Sequence, residues 1–543
     1  MYKDHQPTAE RLVGAALLAL AVFVVYWPAI HGGFVFDDDT LVSRSEIAQA
    51  ADGLSRIWFT TDAIDYWPVT NSSFWIEWRL WRLNPTGYHV TNLLLHITGA
   101  MILWGILRRL RTPGAFLAAA LFAVHPLNVA SVAWIAQRKN VLALVFFLLA
   151  VLWFMKERYW LSVVAFVVAM LSKGSVAVLP GLLLLIVWGQ TGTVTRRDLR
   201  RLAPFVVIAV ALTSVNIWFQ ARATVTIREA TLVERVLDGG GAIWFYLGKA
   251  LFPARLLFMY PQMDFARWGV PFLAALACTL GLWRYRARPV VRAVLVAWLF
   301  FVLALVPVLG LVDVYFMRYS LVADHYAYIA ILSIAALAGA AVYQLPRIAR
   351  EAAGATLIVA LGSMTWLQAR VFADPEVLYR TTLAGNPSAW ALHNNLGALM
   401  IDRGRDVDAA ASLREGLRLR PGLVAAQKNL CLASTRLGRI DEAIAECSAA
   451  LAADPGYVDA HYHLGRLLAL TRRPQDAVLH FRELLRLRPD SATAHNAFGV
   501  LLASLGQTGD AASEFRAAIA LDPNLVEAQD NLTKLSPVLT GSR

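Results

Sequence analysis

The chain of 543 residues is 58% hydrophobic and only 16% charged, with a mean hydropathy of +0.53. A soluble domain carries about 25% charged residues, so the composition excludes an ordinary water-soluble globule and indicates a membrane protein. The net charge of +12 comes without any nucleic-acid motif, and the three cysteines, Cys278, Cys431 and Cys447, are too few for a disulfide framework or a zinc site.

The first apolar run, 12–30, has no small-residue cleavage site behind it and is expected to stay as a first span. Three consecutive aspartates, Asp37, Asp38 and Asp39, follow directly. Carboxylates crowded at a membrane boundary repel one another and are costly near hydrocarbon. Two readings stay open: a functional acid, or a solvated loop that caps a following helix.

Further apolar runs lie near 89–107, 113–135, 140–155, 159–172, 175–189, 202–219, 268–283, 291–311, 323–344 and 353–371, which makes about eleven spans. The basic clusters around Arg108, Lys156, Arg196, Arg284 and Arg347 fall in alternate loops. The positive-inside rule therefore places those loops and the N-terminus in the cytoplasm, and the aspartates outside. The stretch 242–260 is apolar but holds Lys249, Arg255 and Pro253, and is expected to be re-entrant or surface-lying.

The large outer loop 31–88 contains Phe74, Trp75, Trp78 and Trp81 at helical spacing, with Glu77, Arg79 and Arg82 on other faces. This pattern predicts an amphipathic helix lying in the interface, and aromatic-belt anchoring accounts for it without catalysis. Arg138, Lys139, Lys173, Lys249 and Arg318 stand at outer ends of spans, where the topology rule disfavours cations. Each alone could snorkel, but together they suggest an anionic ligand such as a lipid-linked phosphate. His89, Asn92 and His96 share one helical face, the two histidines about 10 Å apart, too far to chelate one ion. They are placed either to donate hydrogen bonds to a headgroup or to satisfy one another in the core.

Past residue 371 the long apolar runs stop and a period takes over. Pro387, Pro421, Pro455, Pro489 and Pro523 are each 34 residues apart, in phase with Ala409, Ala443, Ala477 and Ala511. A small residue at the helix contact, a large one in the next gap and a closing proline describe tetratricopeptide repeats. The expected organisation is a membrane domain over 1–373, a docking half-repeat at 374–389, four repeats over 390–523, and a capping helix with tail at 524–543. Cys431 and Cys447 lie in one repeat, either bridged in an oxidising compartment or as two buried fillers.

Several stretches carry a family resemblance. Gly33-Phe34-Val35-Phe36-Asp37-Asp38, Asn84-Pro85-x-Gly87-Tyr88-His89-x-x-Asn92-x-x-x-His96, His125-Pro126-Leu127, Val132-Ala133-Trp134-Ile135-x-x-Arg138-Lys139, Leu171-Ser172-Lys173, Tyr246-Leu247-Gly248-Lys249 and Ala323-Asp324-x-Tyr326-x-Tyr328 occur in that order. With the repeats, the chain resembles the polyprenyl-phosphate-sugar glycosyltransferases of the GT-C fold class, closest to the transmembrane-and-tetratricopeptide O-mannosyltransferases and their bacterial relatives. The resemblance implies an all-α fold, a GT-C-like bundle followed by a repeat solenoid. It also implies transfer of a sugar from a polyprenyl phosphate to a hydroxyl acceptor, a protein Ser or Thr or a glycan, positioned by the repeats on the periplasmic side of a bacterial inner membrane.

In that reading Asp38, or its neighbours Asp37 and Asp39, takes the acceptor proton. Arg138, Lys139, Lys173 and Lys249, with His89, His96 and His325, hold the donor phosphate and sugar. Some of the wider class use a divalent cation (Mg or Mn) at the acidic motif and others none, and the aspartates offer oxygen ligands for one. The chain departs from its bacterial relatives at Ala130, usually glutamate, at His325, usually arginine, and at Lys173-Gly174, usually lysine-proline. A membrane-anchored scaffold for envelope assembly and a transporter for a lipid-linked sugar are the competing functions. The sugar, the lipid length and the acceptor are not written in the residues.

Overall fold

The computed structural model describes residues 8–63, 65–222, 228–265 and 269–539, in two compact units, Met1–Asn386 and Pro387–Arg543. The first residue of the predicted span 268–283 and the tail beyond 539 lie outside the described residues. Every regular element among the described residues is a helix.

Among the described residues of the first unit, seven helices are long and apolar enough to cross a bilayer, including Pro85–Arg109, Ile135–Met155, Arg196–Ala221 and Arg347–Ala373. An eighth candidate is a broken pair, Ala115–Ala123 and Pro126–Val132, bent by 49°. The break has a local cause: the His125 Nδ1 accepts the Leu127 N–H at 3.2 Å, and Pro126 cannot continue the hydrogen-bond ladder. Three further apolar helices, Tyr159–Ser172, Val270–Arg284 and Ile331–Tyr343, are shorter. The eleven expected spans thus correspond to seven full-length helices, one broken one and three short ones. The tenth is shortened because 323–330 is taken up by a 3-10 turn, Asp324–Ala327, folded into the bundle.

The stretch expected to be re-entrant is a continuous helix, Leu232–Leu251, followed by irregular chain to Phe265. It is not among the helices apolar enough to cross, since Glu234, Arg235, Asp238 and Lys249 lie on it.

The aromatic helix, Pro68–Trp81, departs from its expected orientation. Pro68, Thr70, Phe74, Glu77 and Trp78 are its buried positions, while Ile76, Leu80 and Trp81 are exposed. A glutamate on the buried face needs a partner, and Arg138 supplies it, as described below.

In the second unit paired antiparallel helices repeat from Trp390–Asp402 to Thr508–Leu521, and Val526–Leu539 covers the last pair through Ala528 and Leu535. A Cβ at Gly397 would stand 2.5 Å from Leu413, at Gly465 2.8 Å from Phe481, and at Gly499 2.7 Å from Phe515. The repeat thus needs no side chain on the first helix wherever a large one fills the second. One repeat breaks this rule on both sides at once. Cys431 occupies the glycine position and Cys447 the large position, and the two form a disulfide. The open question about these cysteines is resolved in favour of the bridge, which replaces a packing contact with a bond.

Opening it should loosen one repeat. C431S/C447S is expected to lower local stability by about 2–3 kcal/mol, given a loop of 16 residues. Hydrogen exchange on the full chain would show faster exchange in 424–453 than in the repeat at 492–521; equal exchange in both would refute the expectation.

Candidate active site

Asp38, favoured as the catalytic base from sequence, is fully buried. Its Oδ2 accepts the Val35 N–H at 2.8 Å and its Oδ1 the Ala136 N–H at 2.6 Å. Ala136 belongs to the 3-10 turn Ile135–Gln137 that leads into the Arg138–Met155 helix, so Asp38 sits at a helix N-terminus, where negative charge is favoured. Burial drives its carboxyl well above the ordinary range, with Asp37 and Asp39 adding to the rise and the two amides opposing it. With both oxygens committed to backbone it stitches two loops together.

The stitch presents Asp37. The residue before it, Phe36, has φ +50°, a left-handed conformation costly for a bulky residue. Three rings hold it there, Trp134, Phe258 and Tyr319, at 5.3–6.0 Å between centroids, and its N–H donates to the Tyr379 hydroxyl at 3.1 Å. Asp37 is only partly buried and lies within electrostatic reach of Lys139 and Asp65. Its carboxyl is raised, chiefly by loss of solvent and further by Asp65, against the pull of Lys139. Asp39 is exposed, begins a short π-helical turn and accepts the Ser43 hydroxyl.

The cations separate into two groups. Arg138 is 1% exposed and fully engaged: Nη1 faces Glu77 Oε2 at 2.9 Å, Nη2 donates to the Tyr88 carbonyl at 2.9 Å, and Nε donates to Asn92. It forms a core ion pair. Lys139 and Lys173, both partly exposed, are the other group. The Lys139 ammonium lies 4.4 Å from the centre of the Trp67 ring, and Lys173 donates to Asn140 Oδ1. Asn140 in turn donates to the His325 carbonyl at 3.2 Å and to Gln137 at 2.9 Å, so one buried amide joins Lys173 to the His325 turn. The His325 ring is buried against Trp134, Phe316 and Tyr326, within electrostatic reach of both lysines.

The remaining predicted ligands are elsewhere. His96 is fully buried, its Nδ1 on the Tyr328 hydroxyl at 2.7 Å and its Nε2 on the Ala123 carbonyl at 2.9 Å. His89 is 3% exposed, with Gly32 close to its ring. Lys249 donates to the carbonyls of Ala254 and Arg255 at 2.8 and 3.1 Å, and stands near Asp324, which accepts the Tyr260 hydroxyl at 2.7 Å. It pins the chain that follows its own helix.

Two residues of the site were missed in the sequence. Asp65 shares Lys139 with Asp37, takes a hydrogen bond from Gln220 at 3.1 Å and is raised by burial. Asn140 follows Arg138-Lys139 directly. Neither stands out in sequence, because a single acid in a polar loop and an asparagine in a helix are ordinary there. The Val129–Val132 turn packs against the Asp324–Ala327 turn, so Ala130 and His325, the two departures from the family pattern, fall on neighbouring elements.

Among the described residues no three His, Cys, Asp or Glu side chains converge to hold a metal ion. Asp38 faces amides, Asp39 faces Ser43, and Asp37 lies within electrostatic reach of Lys139.

Residues 434–492 and 471–526 match the tetratricopeptide repeat family model. A protein O-mannosyl-transferase of Caenorhabditis elegans, F38B6.6, is 29% identical over 161 residues, covering 26% of this chain and 23% of the relative. Human TMTC4 is 31% identical over 174 residues, covering 27% and 23%, and Drosophila melanogaster Tmtc2 is 32% identical over 155 residues, covering 25% and 16%. Both are named protein O-mannosyl-transferases. This chain resembles those transferases. The match spans less than a quarter of the length of each of these relatives. Among solved structures, MamA aligns with 28% of this chain and 84% of its own at 22% identity and a TM-score of 0.26. YrrB, described as a tetratricopeptide protein with an unusual peptide-binding site, aligns with 30% and 84% at 22% identity and a TM-score of 0.28.

Proposed function

We propose that the chain is an integral-membrane glycosyltransferase that moves a sugar from a polyprenyl phosphate to a hydroxyl of an acceptor. The observation that carries this is a partly exposed carboxylate, Asp37, within electrostatic reach of the Lys139 ammonium, which in turn lies within reach of Lys173 and His325. The acceptor oxygen attacks the anomeric carbon and its proton passes to Asp37. The bond from that carbon to the phosphate oxygen breaks, and the lipid phosphate leaves with the electron pair. Lys139 and Lys173 neutralise the charge that grows on it. The relatives' names suggest a mannosyl donor and a protein acceptor, which the repeats would present as a Ser or Thr segment.

The outer-face placement of site and repeats is supported by two features. The basic clusters mark the other side as cytoplasmic, and the Cys431–Cys447 bridge suits an oxidising compartment.

The test is direct. The purified chain is incubated with radiolabelled polyprenyl-phosphate mannose and a Ser/Thr peptide. Label should enter the peptide and be released by β-elimination; a folded chain that binds the donor but moves no label would sink the proposal. The pH profile adds a second check. Asp37 must be ionised to act and its carboxyl is raised by burial, so activity should fall on acidification at a pH above the ordinary carboxylate range near ~4. A rate flat down to pH ~4 would exclude Asp37 as the base.

A further inference from the structure

His393, His461 and His495 each stand in the first turn of the first helix of a repeat. In each, the Nε2 lies 3.0 Å from the carbonyl of the proline six residues earlier, Pro387, Pro455 or Pro489. A carbonyl oxygen only accepts, so each Nε2 carries a proton, and in the neutral ring the Nδ1 keeps its lone pair. What that Nδ1 meets differs between repeats. His495 faces the Glu514 carboxylate at 2.6 Å. His461, 7% exposed, faces a second imidazole: its Nδ1 lies 3.0 Å from the Nδ1 of His480, with the ring planes tilted by 47°. His480 is partly exposed and stands on the neighbouring helix Pro474–Leu487. The close approach of Gly465 to Phe481 holds these two helices together.

Two imidazole nitrogens this close share either a proton or an ion, and their separation says which ion fits. With metal–imidazole bonds of about 2.0–2.1 Å, nitrogens 3.0 Å apart subtend about 95° at the ion. That is the cis angle of a square-planar or tetragonal centre, the geometry of Cu(II) and Ni(II). Tetrahedral zinc would need the nitrogens about 3.4 Å apart. The Pro455 carbonyl provides the hydrogen bond that a metal-bound imidazole makes through its other nitrogen, and it fixes the His461 tautomer. Asp476 acts electrostatically on His480, and Glu483 lies within electrostatic reach of His461. These carboxylates are paired with Arg473 and Arg486 at 2.7 and 2.6 Å, and among the described residues no third ligand joins the two rings. Water completes the coordination.

We propose that His461 and His480 bind one divalent copper ion through their Nδ1 atoms. The ion replaces the proton between the two nitrogens. That proton moves to the Nε2 of His480, so both rings ligate in the neutral form. Copper is the stated ion because it combines the tetragonal angle with the highest affinity of the first-row divalent metals for nitrogen ligands.

The full chain in detergent, given one equivalent of Cu(II), can be followed by electron paramagnetic resonance. A tetragonal spectrum with hyperfine splitting from two nitrogens is expected, and competition should place copper above both nickel and zinc. His480→Gln should weaken copper binding by more than about tenfold and leave one nitrogen in the spectrum. His495→Gln removes the corresponding imidazole of the next repeat and should leave affinity and spectrum unchanged. Equal losses in the two variants, or a two-nitrogen spectrum that survives His480→Gln, would overturn the proposal. So would a spectrum from oxygen ligands alone, or zinc bound more tightly than copper. If His480→Gln does not fold, the nitrogen count and the order of metals in the unaltered protein still decide.

Discussion

Asp37→Asn should lower sugar transfer by about 10²–10⁴-fold with no change in thermal stability, because the side chain keeps its shape and loses only its capacity to take a proton. Asp38→Asn should behave differently. Its two oxygens accept backbone amides of Val35 and Ala136 in a fully buried position, and an amide can offer only one acceptor oxygen. One buried N–H then goes unpaired at a cost of about 1–3 kcal/mol, so activity and melting temperature should fall together. Parallel transfer assays and melts in detergent separate the two cases. Full activity in Asp37→Asn, or an inactive but fully stable Asp38→Asn, would return the base to the middle aspartate. Asp39→Asn should be close to neutral, since that residue is exposed and its carboxylate accepts the Ser43 hydroxyl, a bond an amide oxygen can also accept.

Arg138→Met should destabilise the first unit by about 3–5 kcal/mol, the cost of leaving one member of a buried ion pair without the other. Glu77 and Arg138 side chains are 8% and 1% exposed at 2.9 Å, so water cannot replace the missing partner. Glu77→Leu should cost a similar amount, while E77L/R138M should recover much of it, because both charges leave the core together. The remainder stays lost, since the Asn92 and Tyr88 oxygens also lose their donor. The measurement is a double-mutant cycle by chemical denaturation. Additive single losses would show that the pair is not coupled. A stable Arg138→Met with a raised KM for the lipid donor would restore the phosphate-binding role read from the sequence. Lys139→Gln is the contrast: its ammonium faces Asp37 and Trp67, so transfer should drop without a matching drop in stability.

The difference between Arg138 and Lys139 shows where sequence reading stops. Side by side, both look like cations misplaced at the outer end of a span. One helical step of about 100° turns them to different sides, so Arg138 enters the core beside Glu77 while Lys139 faces the aspartates. Glu77 reads only as lying on another face than the aromatic residues, because aromatic spacing identifies a helix but not which side a distant arginine will reach. His89 and His96 were legible as a shared face, and that face turned inward.

What the residues determined was periodic or cumulative: apolar runs long enough to span, arginines in alternate loops, and prolines every 34 residues. Such signals repeat, and each element carries its own copy. The tertiary structure decided the roles within each motif, since these depend on contacts across long separations. Asp38 is held by backbone amides because Ala136 approaches it, Asp37 stays partly exposed beside a Phe36 wedged among three rings, and the disulfide forms because two repeat positions touch. In a membrane protein this matters more than elsewhere, because a buried charge without a partner costs several kcal/mol, and only the fold supplies the partner.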